Sequence, residues 1–273
     1  MRILLAAKHA PHGARPIGGV QSWCRTVCRE LERRGYDVET WGPEQFFPAG
    51  EFDLGIVANI HDTHKALAQC RKLIVVSHGI IPAENPHLKN SRAQLVFTSE
   101  EIRDHWDGIG QIVRQPIDLD FWVPAHNRKE SLTRFSYRRG LNFVKGIARS
   151  MQMKYVHLHN KSSRECREVL QNSACVLATG RAALEAMACG VPVVLLDHRG
   201  AYQPALLHTD IPQAAKRNYS GRGGITPTIL NTREAIDRAI TRGNMRKYVK
   251  KYHDVVHIVD QLMDIATLRR GTL

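Results

Sequence analysis

The most chemically pointed stretch of this chain is residues 178–197, ATGRAALEAMACGVPVVLLD, which sets one carboxylate, Glu185, among small apolar helix formers behind a glycine-containing turn. Residues 174–178 form an apolar run that ends at Thr179-Gly180. Residues 182–188 then read as a helix stopped by Gly190 and Pro192, and residues 193–196 as an unbroken apolar strand. Strand, turn, helix and strand make a βαβ unit whose helix opens at the carboxyl edge of the sheet. Backbone N–H groups and the positive helix end suit a phosphate there. Glu185 is the only charge of the helix after Arg181, and two readings stand for it. One is a solvated helix position, the common fate of a lone Glu. The other is a carboxylate turned toward a polar ligand, which the apolar neighbours favour. His78 is the second chemical candidate, because Ser77-His78-Gly79 closes an all-apolar strand and such a strand end faces the ligand crevice of a parallel sheet. A structural histidine is the competing reading. His61 and His64 are spaced for a metal, but no further ligand stands nearby, so they read as a solvated helix face and no metal is expected. Gly18-Gly19 precedes a helix: alone it is a tight turn, and after the first strand of a βαβ unit it is a candidate phosphate loop.

The elements that must position these groups alternate along the chain. Residues 2–7 read as a buried strand and a Gly/Pro-rich loop follows. Val20, Trp23, Cys24, Val27, Cys28 and Leu31 then recur at helical spacing until Gly35 closes the helix. Residues 37–41, 54–58, 73–76, 95–99 and 111–114 read as further strands. A second series opens with a strand at 132–137, a helix carrying Lys145-Gly146, a strand at 155–159 and a helix at 164–171. Past Asp197 come a glycine-rich segment at 220–224, which reads either as a flexible loop able to close on phosphate or nucleic acid or as a plain surface turn, a helix at 232–242 and an apolar helix at 255–265. Strands alternating with helices predict an α/β chain, and 273 residues suit two such domains, each burying its own core.

Six cysteines without a Cys-x-x-Cys pair fit reduced, buried thiols in a cytoplasmic protein. No run of eighteen apolar residues exists, so neither a membrane span nor a signal peptide is expected. The net charge of +13 is unevenly placed: residues 1–122 hold 14 Lys and Arg against 15 Asp and Glu, and residues 123–273 hold 25 against 11. That asymmetry points to a polyanionic partner or an anionic surface met by the second half, with generic solubility as the plain alternative.

Gly180, Glu185-Ala186-Met187-Ala188, Gly190 and Pro192-Val193 resemble the donor-binding segment of retaining GT-B glycosyltransferases, specifically glycosyltransferase family 4. The resemblance is sharp at residues 178–193, moderate at 18–35, 115–121 and 138–146, and covers most of the chain. It implies two Rossmann-like parallel-sheet domains facing across a cleft, with an acceptor domain at 1–122 and a nucleotide-sugar domain at 123–250. A helix at 251–273 would pack back on the first domain. Gln115-Pro116-Ile117-Asp118, with Phe121, is similar to the family's Asn-Gly-Ile-Asp crossover and sets a hinge near 121–130. The resemblance assigns Glu185 to the donor ribose, His78 to the sugar near the reacting carbon, and Arg138 and Lys145 to the diphosphate, with Arg139 a near rival of Arg138. An Arg fork with a mobile ammonium suits a diphosphate leaving group. Gly18 and Gly19 match the first Gly-rich loop, and Thr179 and Gly180 belong to the donor loop. Leu177 stands where the family has the first Glu of its Glu-x7-Glu motif. The implied reaction is glycosyl transfer with retention, needing no metal and no cofactor beyond the nucleotide-sugar co-substrate, with a UDP-sugar ahead of a GDP-sugar.

The acceptor is read from charge. The basic second half, Arg222 in its glycine loop and the run Arg246-Lys247-Tyr248-Val249-Lys250-Lys251-Tyr252 make a basic and aromatic lane for a phosphate backbone, with Arg246, Lys247, Lys250 and Lys251 as its nucleic-acid contacts. A small basic enzyme of this kind suits 5-hydroxymethylated bases in DNA, as phage glycosyltransferases modify them, acting in the host cytoplasm; a basic rim would serve to reach or flip the base. Two alternatives stand beside DNA: a lipid or cell-surface polysaccharide acceptor, and a non-catalytic nucleic-acid-binding protein on a degenerate GT-B scaffold, which Leu177 keeps open.

Overall fold

The computed structural model describes residues 1–11, 18–59, 63–81, 85, 93–106, 108–125, 131–135, 141–197, 206–208 and 210–267. The chain divides into two compact units: unit 1 is Met1–Pro116 with His253–Leu273, and unit 2 is Ile117–Tyr252.

Unit 1 contains β1 (Arg2–Ala7), α1 (Gly19–Arg33), β2 (Asp37–Trp41), β3 (Phe52–Ala58), α2 (Thr63–Gln69), β4 (Cys70–Ser77), β5 (Ala93–Phe97), α3 (Glu100–His105) and β6 (Gln111–Ile112). Its six strands are all parallel, in the order β2-β1-β3-β4-β5-β6. The unbroken apolar runs of β3 and β4 follow from burial on both faces. One face of the sheet is covered by Trp23, Cys24, Val27, Cys28 and Leu31 of α1. The other is packed with Trp41, Phe52, Val57, Leu73 and Val75.

Unit 2 contains β7 (Ser131–Phe135), α4 (Leu141–Ser150), β8 (Lys154–Leu158), α5 (Ser163–Gln171), β9 (Cys175–Ala178), α6 (Gly180–Ala188), β10 (Val193–Asp197), β11 (Leu206–His208), α7 (Ile211–Ala215), α8 (Ile229–Arg242) and α9 (Arg246–His253), whose last residue belongs to unit 1. The strand order is β11-β10-β9-β7-β8, with β7, β8, β9 and β10 parallel and the edge strand β11 antiparallel. Val144, Ile147, Ile236 and Ala239 of α4 and α8 cover one face. Cys166, Leu170, Leu184 and Met187 of α5 and α6 cover the other.

The final helix, α10 (Val255–Thr267), returns to unit 1, where Val255, Ile258, Val259, Leu262 and Ile265 share the core of α1. Arg34 fastens it by donating to Asp260 Oδ1 and to the Val256 carbonyl, both at 2.7 Å, while also pairing with the buried Glu30.

The chain passes between units at Pro116/Ile117, six residues before the boundary drawn from sequence, because Ile117, Leu119 and Trp122 are core residues of unit 2. Residues 220–224 form a folded turn, with Ser220 2% exposed, the Ser220 N–H bonded to the Arg217 carbonyl and the Gly224 N–H to that of Gly221.

Candidate active site

In a parallel sheet, ligands gather outside the carboxyl ends of the strands where the strand order reverses. In unit 2 that point lies between β7 and β9, since β8 is on one side of β7 and β9 on the other. The connection after β7 is residues 136–140, so Arg138 and Arg139 lie outside the described residues. The connection after β9 is Thr179-Gly180, the start of α6. Gly180 has φ +57°, the left-handed region that a glycine enters without a Cβ penalty, and its N–H donates to the Tyr219 carbonyl at 2.8 Å. Thr179 takes the N-cap position, but its hydroxyl makes no capping bond. Asn218 and Tyr219 are themselves left-handed, at φ 51° and 55°, and this consecutive pair folds residues 218–222 over the helix start. From that loop the Gly221 N–H donates to Asp197 Oδ2 at 3.4 Å, and the Arg222 N–H to Ser220 Oγ at 3.3 Å.

Glu185 is neither solvated nor simply open to a ligand. It is 8% exposed, it lies between Leu184 and Ala186, both fully buried, and it accepts from Arg181 Nε at 2.9 Å one turn earlier on α6. Burial pushes its carboxyl above the ordinary range, with the Arg181 charge and hydrogen bond pulling the other way. The Cys166 and Cys189 thiols are each pushed up to about 12, first by burial and then by the Glu185 charge. Sequence reasoning missed the Arg181 partner, although the two residues stand at the i,i+4 spacing that pairs charges on a helix. Leu177 is 1% exposed in the apolar layer with Leu132, Cys175 and Val194. Lys145 is exposed on α4.

The unit 1 candidates gather at the carboxyl edge of its own sheet. His78 directly follows β4, is 8% exposed, and its N–H donates to Asn59 Oδ1 at 3.2 Å. Its ring meets the Trp23 indole edge-on, with centroids 5.2 Å apart. Trp23 belongs to α1, the helix that Gly18 and Gly19 begin, so these glycines and His78 serve the same sheet edge. Gly18 is the N-cap, and its N–H donates to Gln21 Oε1 at 2.7 Å. A Cβ on Gly18 would meet that oxygen at 2.8 Å, whereas one on Gly19 would meet nothing within 4 Å. Helical spacing marks Trp23 as core and gives no sign of its contact with His78.

The basic helix α9 is only partly what the sequence suggests. Lys247, Lys250 and Lys251 are exposed, and their i, i+3 and i+4 spacing puts them on one face. Tyr248 and Tyr252 lie beside them with ring centroids 4.9 Å apart, and Lys251 Nζ sits 4.9 Å from the Tyr252 centroid. Arg246 departs from the expectation: its guanidinium donates to the carbonyls of Leu119, Trp122 and Ala188, all in unit 2. Three of its five donors are used inside the fold. Arg222 is half-buried in the loop above α6.

Among the described residues no group of three His, Cys, Asp or Glu side chains could hold a metal ion, and no helix is long and apolar enough to cross a membrane.

Two α/β units, each built on a wholly or mainly parallel sheet and one of them with a return helix, fit the GT-B fold of two Rossmann-like domains. A solved structure described as AviGT4, a glycosyltransferase involved in avilamycin A biosynthesis, matches this fold with a TM-score of 0.54, covering 97% of this chain and 96% of that chain at 13% sequence identity. No family model matches the sequence, and neither does any curated protein. At that identity the likeness establishes the GT-B fold of the chain.

Proposed function

We propose that the chain is a glycosyltransferase that takes its sugar from a nucleotide-sugar, UDP-linked ahead of GDP-linked, and transfers it with retention and without a metal ion. The observation that carries this reading is the coincidence of motif and position. The segment with Gly180, Glu185-Ala186-Met187-Ala188 and Gly190 falls on β9, α6 and β10, directly at the switch point of unit 2. The α6 N-terminus receives the diphosphate, with Thr179 Oγ as a further donor. Arg138 and Lys145 neutralise the charge that grows on the diphosphate as the glycosidic bond breaks. Glu185, oriented by Arg181, holds the ribose, and His78 contacts the sugar.

The acceptor in this reading is a 5-hydroxymethylated base in DNA. Unit 2 carries 23 Lys and Arg against 10 Asp and Glu, while unit 1 carries 16 of each, so all the excess positive charge resides in unit 2. The Lys247, Lys250 and Lys251 face, flanked by the Tyr248 and Tyr252 pair, suits a phosphate backbone. A lipid or surface-glycan acceptor is the second reading, favoured by Ile225, Ile229 and Leu230, which are 58%, 49% and 68% exposed on the same basic unit.

The test incubates the protein with UDP- and GDP-sugars and with unmodified DNA, 5-hydroxymethylated DNA, or lipid and glycan acceptors, followed by mass spectrometry of the products. A sugar gained only by the hydroxymethylated nucleoside supports the whole reading. A sugar gained by a lipid or glycan alone removes DNA and leaves the transferase. Binding of DNA with neither transfer nor hydrolysis of any donor makes the protein a non-catalytic binder.

A further inference from the structure

We propose that the segment from Lys216 to Arg233 docks on an anionic lipid surface, setting three aliphatic side chains into the acyl boundary and its bases among the headgroup phosphates. Ten large apolar side chains are exposed among the described residues, and three of them, Ile225, Ile229 and Leu230, fall within six consecutive positions. An isolated exposed aliphatic residue is ordinary, whereas a group of them rimmed by polar residues marks an interaction surface. Residues 211–233 contain four bases, Lys216, Arg217, Arg222 and Arg233, and no Asp or Glu. Lys216, Arg217 and Arg233 are exposed and make no ion pair among the described residues, while Glu234, the next acid along the chain, pairs with Arg238.

Hydrogen bonds fix how this group is presented. The Asn231 side chain accepts from the Thr228 N–H at 2.7 Å and donates to the Thr226 carbonyl at 3.0 Å, and its own N–H donates to Thr228 Oγ1 at 3.1 Å. Residues 226–228 are thereby bound to the first turn of α8, which carries Ile229 and Leu230. Arg233 follows these two at i+4 and i+3, on their face of the helix. Before Ile225 the turn is closed by the Gly224 N–H on the Gly221 carbonyl, and the Arg217 guanidinium rests against Gly223 in the space a Cβ would need. Exposed cations thus flank the aliphatic group on both sides.

The side-chain chemistry selects the partner. Ile and Leu offer no π face on which a base could stack, so the group suits hydrocarbon better than nucleic acid. Directly above the hydrocarbon of a bilayer lies a layer of phosphates, which guanidinium forks bind in bidentate fashion, and anionic lipids add attraction for each base. Such docking sets where the protein rests and does not depend on which acceptor it glycosylates.

The experiment floats the full chain with vesicles of phosphatidylcholine alone and of phosphatidylcholine mixed with phosphatidylglycerol. Wild type is compared with Ile229→Gln/Leu230→Gln and with Arg217→Gln/Arg233→Gln. All four positions are exposed, so both variants should melt with wild type. The expected result is retention on the mixed vesicles that weakens with salt, and a partition coefficient lowered on the order of ten-fold by either variant. The aliphatic variant keeps every charge, so its loss separates insertion from the plain attraction of a basic protein. No retention of wild type on the mixed vesicles overturns the inference, as does retention that survives Ile229→Gln/Leu230→Gln. A wild-type dimer by light scattering that this variant disperses, with no vesicle binding, assigns the group to a second copy and overturns it too. DNA binding lost in the arginine variant, again with no vesicle binding, assigns the bases to nucleic acid with the same consequence. A protein that transfers sugar but ignores both vesicles loses this inference alone.

Discussion

Removing the Glu185 carboxylate tests whether this residue is free to serve a ligand or is also part of the fold. The side chains of Arg181 and Glu185 are 8% and 11% exposed, and one 2.9 Å bond joins them. Glu185→Ala removes one partner of a buried ion pair, a change that costs about 3–5 kcal/mol because the desolvated guanidinium keeps its penalty and loses the compensation of this carboxylate. Against a total stability of roughly 5–15 kcal/mol this is a large fraction. With a urea dependence of about 1–3 kcal/mol per molar, the unfolding midpoint followed by circular dichroism should fall by about 1 M or more. The double variant Arg181→Met/Glu185→Leu fills the same space with apolar groups and should recover more than half of the loss, since replacing a buried pair by hydrophobic side chains is often neutral or stabilising. Neither variant should bind UDP as wild type does. A Glu185→Ala protein that unfolds within about 0.3 M of wild type would refute the reasoning. It would show that the pair contributes no compensation and that Glu185 serves a ligand alone.

The other expectations follow from single positions. The Glu185 carboxyl is raised above its reference value of 4.5, so the folded state keeps this proton to higher pH than the unfolded chain. Its contribution to stability is therefore fully present below the unfolded value and is lost as pH rises through the folded one; Glu185→Gln should flatten that part of a pH series of urea melts. Leu262→Ala, removing a fully buried side chain between α10 and α1, should cost about 2–5 kcal/mol in the same assay. Gly180→Ala meets no atom closer than 3.9 Å, so its cost is conformational alone, about 1–2 kcal/mol for a left-handed residue with a Cβ. Lys250→Ala/Lys251→Ala should lower the salt dependence of DNA binding by about 0.9 for each phosphate no longer neutralised and leave the melting temperature unchanged, whereas Arg246→Ala should lower the melting temperature because three carbonyls lose their donor.

What the sequence discloses and what it withholds divide along a physical line. Apolar runs and helical spacing report burial on one's own element, so β3, β4, β9, β10 and the buried face of α1 are all legible in the residues themselves. The short antiparallel edge strand β11 and the five-residue α7 carry too few residues for a period to register, and neither shows in the sequence pattern. Side-chain partners are set by register and by loops, which leave no periodic trace. Arg246 reads as one more base in a basic run, yet the Leu119, Trp122 and Ala188 carbonyls converge on it across more than fifty residues of sequence. Asp197 reads as the ordinary polar end of a strand, and the amide it accepts from, that of Gly221, belongs to a loop about twenty positions away that turns on two left-handed residues. The segment that resembles a glycosyltransferase donor site carries a similar ambiguity. Its glycines and its Glu-Ala-Met-Ala run build a turn, a helix start and a helix, which is where the proposed donor site lies. Its departure at Leu177 is a packing fact: that side chain faces the apolar layer under α4 and α8.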